Sequence, residues 1–448
     1  MITLYTPSTG FEDAEAKIAY GLARVALELP EVHLKITPMH GYYEISIESR
    51  DKEGEKFDEA FSLLCSRVLS SQNRYMSPGI SPKYRENYRN RVTKILKNKD
   101  RVSLVELYKE VPPFESELFG IRCRHKEIEA FGGKEGGFIL GFSGHVGKPY
   151  GRDKVSIRKN LGICAICGAL SLLGNQSCSI ELRVGKKRVT FLPIPLHDLY
   201  TEQFDYLLSS VKTFPLARLG ELPNEVTPLV ILAMHPHLTS ALSTSEFAVC
   251  IHGFEQQKGS WTTRGSKIFQ VSSLVKFLHQ KPFNQAIVNR LIKPPHVEAL
   301  SQLFNALTDQ VESSRRNYSQ NFARSYVRET KQLLYHKTAK DLLIEVDGVN
   351  EALVKRNSIV SVARMLNYFV RDKNYGYVDS IRNARDIITF QDILAKALRS
   401  AQTKKAAGEG IHIPSNEDIQ DIIEAAEKEK FEEIKLSITL LALSYIIS

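Results

Sequence analysis

The chain has 448 residues, of which 43% are hydrophobic and 9% aromatic, and sixty basic against fifty-one acidic side chains leave a net charge of +9. That balance excludes a disordered or collagen-like polymer and supplies apolar material for two or three domains. Six cysteines over this length exclude a disulfide framework and lead us to expect a reducing cytoplasm.

The opening, MITLYTPSTGFEDAEAK, has no basic segment followed by an apolar stretch, so no export signal is expected. AEAKIAYGLARVALEL then places Ile18, Leu22, Val25 and Leu29 at helical spacing. HLKIT and YYEISIES alternate as half-buried strands around a glycine turn, and KFDEAFSLLCSRVLSS returns to helix. Residues 131–151 are glycine-rich, with FILGFSG read as a buried strand and GHVGKPYGRDK as an exposed loop. CSIELRVG, KRVTFLPIPL, TPLVILAM and FAVCIHGF are all read as strands.

Pro294 and Pro295 mark a break, because neither donates a backbone hydrogen bond and both disfavour helix in the residue before them. Beyond it, HVEALSQLFNALTDQVESS, NSIVSVARMLNYFVRD, DSIRNARDII and FQDILAKALRSAQ repeat apolar residues at three and four. Thr389 followed by Asp392 is read as a capping box opening the last of these, and Asp379 as the cap of the helix before it. Ile381, Ala384 and Ile388 are expected on its core face, and Tyr375 and Tyr377 as buried neighbours in an extended segment. The terminal run LSITLLALSYIIS is too short to span a membrane and reads as a buried helix. The expected fold is therefore α+β: an α+β domain over 1–295, with a zinc-binding or glycine-rich insertion around 123–180, and a helical bundle over 296–448.

Chemistry-bearing motifs are few. GFSGHVGK has one residue too many for a phosphate loop, and Pro149 replaces the magnesium-binding hydroxyl. His197-Asp198, with His235 or His237, would suit a metal-dependent nuclease, but Pro193 and Pro195 argue against the helix that such a site needs. Cys164 and Cys167 stand at C-x-x-C spacing, half of a zinc motif, which Cys178, His145, Cys123 or His125 would have to complete; their other reading is as two small core residues.

Basic runs form the strongest collective feature. SPKYRENYRNRVTKILKNKDR holds eight Lys or Arg. GKPYGRDKVSIRKN adds Lys148, Arg152, Lys154, Arg158 and Lys159, and VGKKRVT offers Lys186 and Lys187 with Arg188. WTTRGSK carries Arg264 and Lys267, and the SRRNYSQNFARSYVRETK run carries Arg315 and Arg316, with Arg324 and Arg328 beyond them. Arg382 and Arg385 lie among the rings of NYGYVDSIRNARDIITF. Each run alone is a solvated face; together, with aromatics interleaved, they predict a track that neutralises phosphate and stacks on bases. The stretch 417–433 holds eight acids and two bases, so the remainder carries +15 rather than +9.

SIVSVARMLNYFVRDKNYGYVDSIRNARDIITFQDILAKALR, together with KIAYGLARVALEL, CAICG followed by ALSLLG, and TRGSKIFQVSSLVKFL, resembles the archaeal CRISPR-associated large subunits of the subtype I-A Cascade complex. The resemblance implies a non-catalytic subunit of an RNA-guided surveillance complex. Such a subunit would help hold the CRISPR RNA, inspect the PAM of a double-stranded DNA target, contact the other Cascade subunits, and help recruit the Cas helicase and nuclease, with no membrane partner. The lone C-x-x-C departs from any complete zinc motif. A zinc-stabilised scaffold that binds only protein is the remaining reading.

Overall fold

The computed structural model describes residues 1–50, 54–70, 103–112, 114–117, 120–123, 130–131, 149–150, 155–156, 163–185, 187–213, 218–257, 260–428 and 430–445. It is α+β: antiparallel sheets with helices in the N-terminal part, and helices almost throughout the C-terminal part. The chain divides into two compact units, one formed by 1–228 with 235–275, the other by 229–234 with 276–448. The Pro282–Ile292 helix thus belongs with the C-terminal helices, and the expected boundary at 295 lies within the second unit.

In the first unit, Ile2–Tyr5, Tyr43–Glu48, His33–Pro38 and Leu199–Tyr200 pair in that spatial order, all antiparallel. A second sheet runs Arg218–Leu219, Ile180–Val184, Lys187–Pro195, Phe247–Gln257 and Ser260–Gln270. Its long strands are antiparallel, in register Leu182↔Val189 and Leu192↔Cys250. The helix Glu12–Ala26 buries thirteen of its fifteen residues. Such all-round burial obliges any ionisable group on this helix to find an internal partner.

Two glycines set how closely this helix meets the helix Ala165–Cys178. A Cβ on Gly174 would stand 1.8 Å from the Lys17 carbonyl oxygen, and one on Gly21 2.2 Å from that of Leu170. Only glycine permits that approach of two backbones. The cysteine-bearing helix contributes Ile166, Cys167, Leu170 and Leu173 to the core, as its apolar sequence suggests.

The C-terminal unit is helical, as the three- and four-residue periodicity predicts. Val297–Thr308, Glu312–Thr330, Asn357–Arg371, Gly376–Asn383, Ile387–Ala406, Asn416–Lys428 and Phe431–Ala442 are its main helices. Leu436, Ile438, Leu440 and Leu441 of the terminal apolar run are buried, and Ser444–Tyr445 then pairs in parallel with Leu334–Tyr335. No helix among the described residues is long and apolar enough to cross a membrane.

Several local expectations need correction. TPLVILAM is not a strand but the helix Thr227–Met234; an unbroken apolar run carries no period to separate the two. Asp379 is not a cap. It lies inside Gly376–Asn383, whose preceding residue is Tyr375, and it binds Arg324 instead. The next helix begins at Ile387, with Asp386 accepting from the Thr389 backbone N–H at 2.7 Å, so the Thr389–Asp392 capping box is replaced by an aspartate cap three residues upstream. Ile381 and Ala384 are buried, whereas Ile388 is 74% exposed. The strand expected at FILGFSG lies outside the described residues.

Candidate functional site

The most concentrated polar chemistry among the described residues lies where the first helix faces the second sheet. Asp13, in the first turn of Glu12–Ala26, projects with Lys17, one turn later, toward the Phe247–Gln257 strand. Cys250 and His252 are two apart on that strand, so the two-residue side-chain period places both on one face. His252 Nε2 lies 3.0 Å from Asp13 Oδ2 and 3.2 Å from Cys250 Sγ, and Lys17 Nζ is 3.4 Å from the same Asp13 oxygen. All four residues are buried. Asp13, Cys250 and His252 form a group of donor atoms mutually within 4.8 Å that could hold a metal ion.

One turn of the same helix holds a second buried carboxylate. Glu15 Oε1 accepts from the backbone N–H of Thr9 at 2.6 Å and of Gly10 at 2.9 Å, and from the Thr9 hydroxyl at 2.9 Å. Burial pushes the Glu15 carboxyl up, and the Thr9 and Gly10 donors pull it back. These bonds close the loop that leads into the helix.

The geometry constrains what the Asp13 group can do. A Cys–His–Asp relay needs the thiol and the carboxylate on opposite ring nitrogens, so that a proton can pass across the imidazole. Here both approach Nε2. Three unlike donors gathered this closely could instead hold a cation.

The structure distributes the cysteines and histidines singled out by sequence differently. Cys167 Sγ lies 3.0 Å from the hydroxyl of buried Tyr108. Cys164 sits on a two-residue strand paired with Ala130, and its side chain falls outside the described set, as do those of Cys123, His125 and His145. Burial pushes the Cys178 thiol well up. Among the described residues, neither Cys167 nor Cys178 joins a group of metal donors.

The nuclease constellation is not assembled among the described residues either. His197 pairs with Glu246 at 3.1 Å on the surface, and Asp198 with Lys35 at 2.8 Å, a bond that lowers the Asp198 carboxyl. His235 accepts from the Leu238 backbone N–H and caps Pro236–Leu242; burial lowers its affinity for a proton. His237 is exposed.

Of the basic track, Lys148, Arg152, Lys154, Arg158, Lys159 and Lys186 lie outside the described residues. Arg264 is on the strand Ser260–Gln270, its side chain again outside the described set, and Lys187 is half-buried on Lys187–Pro195. Lys267 reaches Glu225 at 3.0 Å. Arg315 donates to the backbone carbonyls of Asp309 and Val346. Arg316 meets Glu312 at 3.1 Å and Glu433 at 3.7 Å. Arg382 donates to Asn321 Oδ1 at 3.2 Å.

The crowded stretch around Tyr375 is engaged within its own unit, but Tyr375 and Tyr377 are half-buried rather than buried as expected. Arg324 lies over the Tyr375 ring, 3.8 Å from its centroid, while its other side binds Asp379 at 2.9 Å. Tyr377 is helical rather than extended, and its ring centroid stands 4.9 Å from that of Phe369.

Cations without an observed carboxylate partner among the described residues lie beside this stretch and on the following helix. Arg385 is exposed just before Ile387–Ala406, and Lys396, Arg399 and Lys405 are exposed along it. Arg371 and Lys373 are exposed at the end of Asn357–Arg371. That end meets the end of Ile387–Ala406, where Lys404 bridges Asp372 at 3.3 Å and Glu409 at 3.0 Å. Lys396, Arg399 and Lys405 were not singled out by sequence reasoning. Their signal was present: on a helix whose buried face is Phe390, Leu394, Ala397 and Ala401, positions 396 and 399 must face out. No protein-family model and no curated protein matches the chain.

Proposed function

We propose that the chain is a non-catalytic, nucleic-acid-binding subunit of an RNA-guided CRISPR surveillance complex of subtype I-A, acting in the cytoplasm. In this reading it contacts the CRISPR RNA and the duplex beside a DNA target, and helps seat the helicase and nuclease that follow. The observation that carries it is a set of exposed cations that form no ion pair among the described residues. The acids of Asn416–Lys428 are partly spent on Arg356, which grips Asp421 through two nitrogens at 2.8 and 2.6 Å. Arg371, Lys373, Arg385, Lys396, Arg399 and Lys405 meanwhile remain on the surface of the same unit. Exposed cations that form no ion pair among the described residues stay accessible to a polyanion.

The nuclease reading is weaker, because His197, Asp198 and His235 are each committed to other partners. A zinc ion belongs to the reading as a brace rather than a reagent. The donor group on Asp13, Cys250 and His252 favours it, and the same group also supports a zinc-stabilised scaffold that binds only protein.

The test is reconstitution. Purified chain is mixed with subtype I-A backbone subunits loaded on guide RNA, and the mass of the particle and its affinity for PAM-bearing duplex are measured. The proposal expects stoichiometric incorporation and tighter duplex binding. Incorporation without any gain in duplex binding would favour the protein-only scaffold. No incorporation and no nucleic-acid binding would remove the CRISPR reading.

A further inference from the structure

We propose that Asp13, Cys250 and His252 ligate one zinc ion, which ties the first helix to the Phe247–Gln257 strand. This assignment rests on the zinc component of the function proposed above and adds its ligands.

The donor set is one carboxylate oxygen, one sulfur and one imidazole nitrogen, all within the ordinary repertoire of zinc. Zinc bonds of about 2.0 Å to nitrogen or oxygen and about 2.3 Å to sulfur, at tetrahedral angles, separate neighbouring ligand atoms by roughly 3.3–3.6 Å. The observed separations of 3.0 Å from nitrogen to oxygen and 3.2 Å from nitrogen to sulfur need only a few tenths of an ångström of opening. Strand geometry delivers the Cys250-x-His252 pair to one face, and Asp13 meets it from 239 residues before His252 in the chain.

Three protein donors leave the fourth zinc position to a water molecule, and three further features fit a brace closed to substrate. The side chains of Asp13 and His252 are 0% and 2% exposed, so no substrate reaches them. Lys17 Nζ, one turn along the helix, lies 3.4 Å from the same Asp13 oxygen and helps hold the carboxylate in place. The Gly21 and Gly174 contacts bring the helix backbone close against its neighbour, so the carboxylate is presented from a closely packed element. Cys250 binds as the thiolate, and its proton passes to solvent when the ion enters, which places loading at the time of folding.

Elemental analysis of the untagged full-length chain tests the assignment. We expect about one zinc per chain, a loss of about ten-fold or more in Cys250→Ser and in His252→Ala, and no loss in a Cys164→Ser, Cys167→Ser double variant. Zinc that survives the first two variants and leaves with the double variant would overturn these ligands while leaving zinc itself in place. A chain that takes up no metal even when zinc is supplied would overturn both. Should the single variants fail to fold, cobalt(II)-loaded wild-type chain decides. One thiolate-to-cobalt charge-transfer contribution is expected, and none, or the intensity of two thiolates, would overturn the assignment.

Discussion

The first helix and the helix Ile387–Ala406 treat charge in opposite ways. On Glu12–Ala26, Asp13, Glu15 and Lys17 are buried and each is answered from inside: by His252, by the Thr9 and Gly10 amides, and by Asp13 itself. On Ile387–Ala406, Lys396, Arg399 and Lys405 point outward with no carboxylate partner among the described residues. A buried ion must be compensated at once or the fold loses several kcal/mol, whereas an exposed one is hydrated at little cost and stays available. Charge inside the first unit is thus compensated within the fold, while these cations outside the second stay exposed to solvent.

The largest expected effect attacks the architecture that fixes the buried set. Gly174→Ala drives a Cβ to 1.8 Å from a backbone oxygen that cannot swing aside. We expect a loss of about 3 kcal/mol or more in denaturant unfolding. A near-neutral result would mean that the two helices can part, and that Lys17 and Asp13 are not held as described.

Asp347 extends the comparison, because it is a buried carboxylate within the second unit. Burial pushes its pKa up to about 7, against the pull of Ser319 and of Arg316 and Arg315. A carboxyl whose folded pKa is raised binds more protons folded than unfolded, so its contribution falls as pH rises from about 4 through 7. Asp347→Asn should accordingly stabilise the chain at pH 8, by no more than roughly 4 kcal/mol for a shift of that size, and change little at pH 4. Equal effects at both pH values in thermal melts would contradict the burial argument.

Surface ion pairs should matter less. Asp421 is held below the usual carboxylate range, chiefly by Arg356 and then by Ser358, but it is 42% exposed. Asp421→Asn should cost no more than about 1 kcal/mol, less in high salt. The cap is the smallest case. Asp386→Ala should lower the unfolding midpoint slightly while Asp386→Asn preserves it, since either Asp or Asn accepts the Thr389 N–H. Equal losses from both substitutions would argue that charge at the helix start, not the hydrogen bond, was acting.

Periodicity made much of this legible. Ile18, Leu22 and Val25 marked the first helix, alternation marked HLKIT and YYEISIES, and Pro193 and Pro195 kept helix away from His197. TPLVILAM failed because a run of unbroken apolar residues fits strand and helix alike. Asp13 could not be joined to His252 by reading along the chain, because only the folded sheet brings them together. The two-residue spacing of Cys250 and His252 on an expected strand was nevertheless visible, and it put both donors on one face. Basic runs were legible as composition but not as availability: Arg315, Arg316 and Lys267 turn to groups of their own unit, while Lys396 and Arg399, less conspicuous in sequence, remain unengaged by any described carboxylate.

Titrating duplex DNA binding against salt tests the division between structural and available charge most directly, using the wild-type chain and a Lys396→Glu, Arg399→Glu variant with unchanged melting. The account predicts that the logarithm of the binding constant falls linearly with the logarithm of salt concentration, and that the slope shrinks by about 2 in the variant, roughly 0.9 for each phosphate contact removed. Binding that is absent, or a variant with the wild-type slope and affinity, would contradict it.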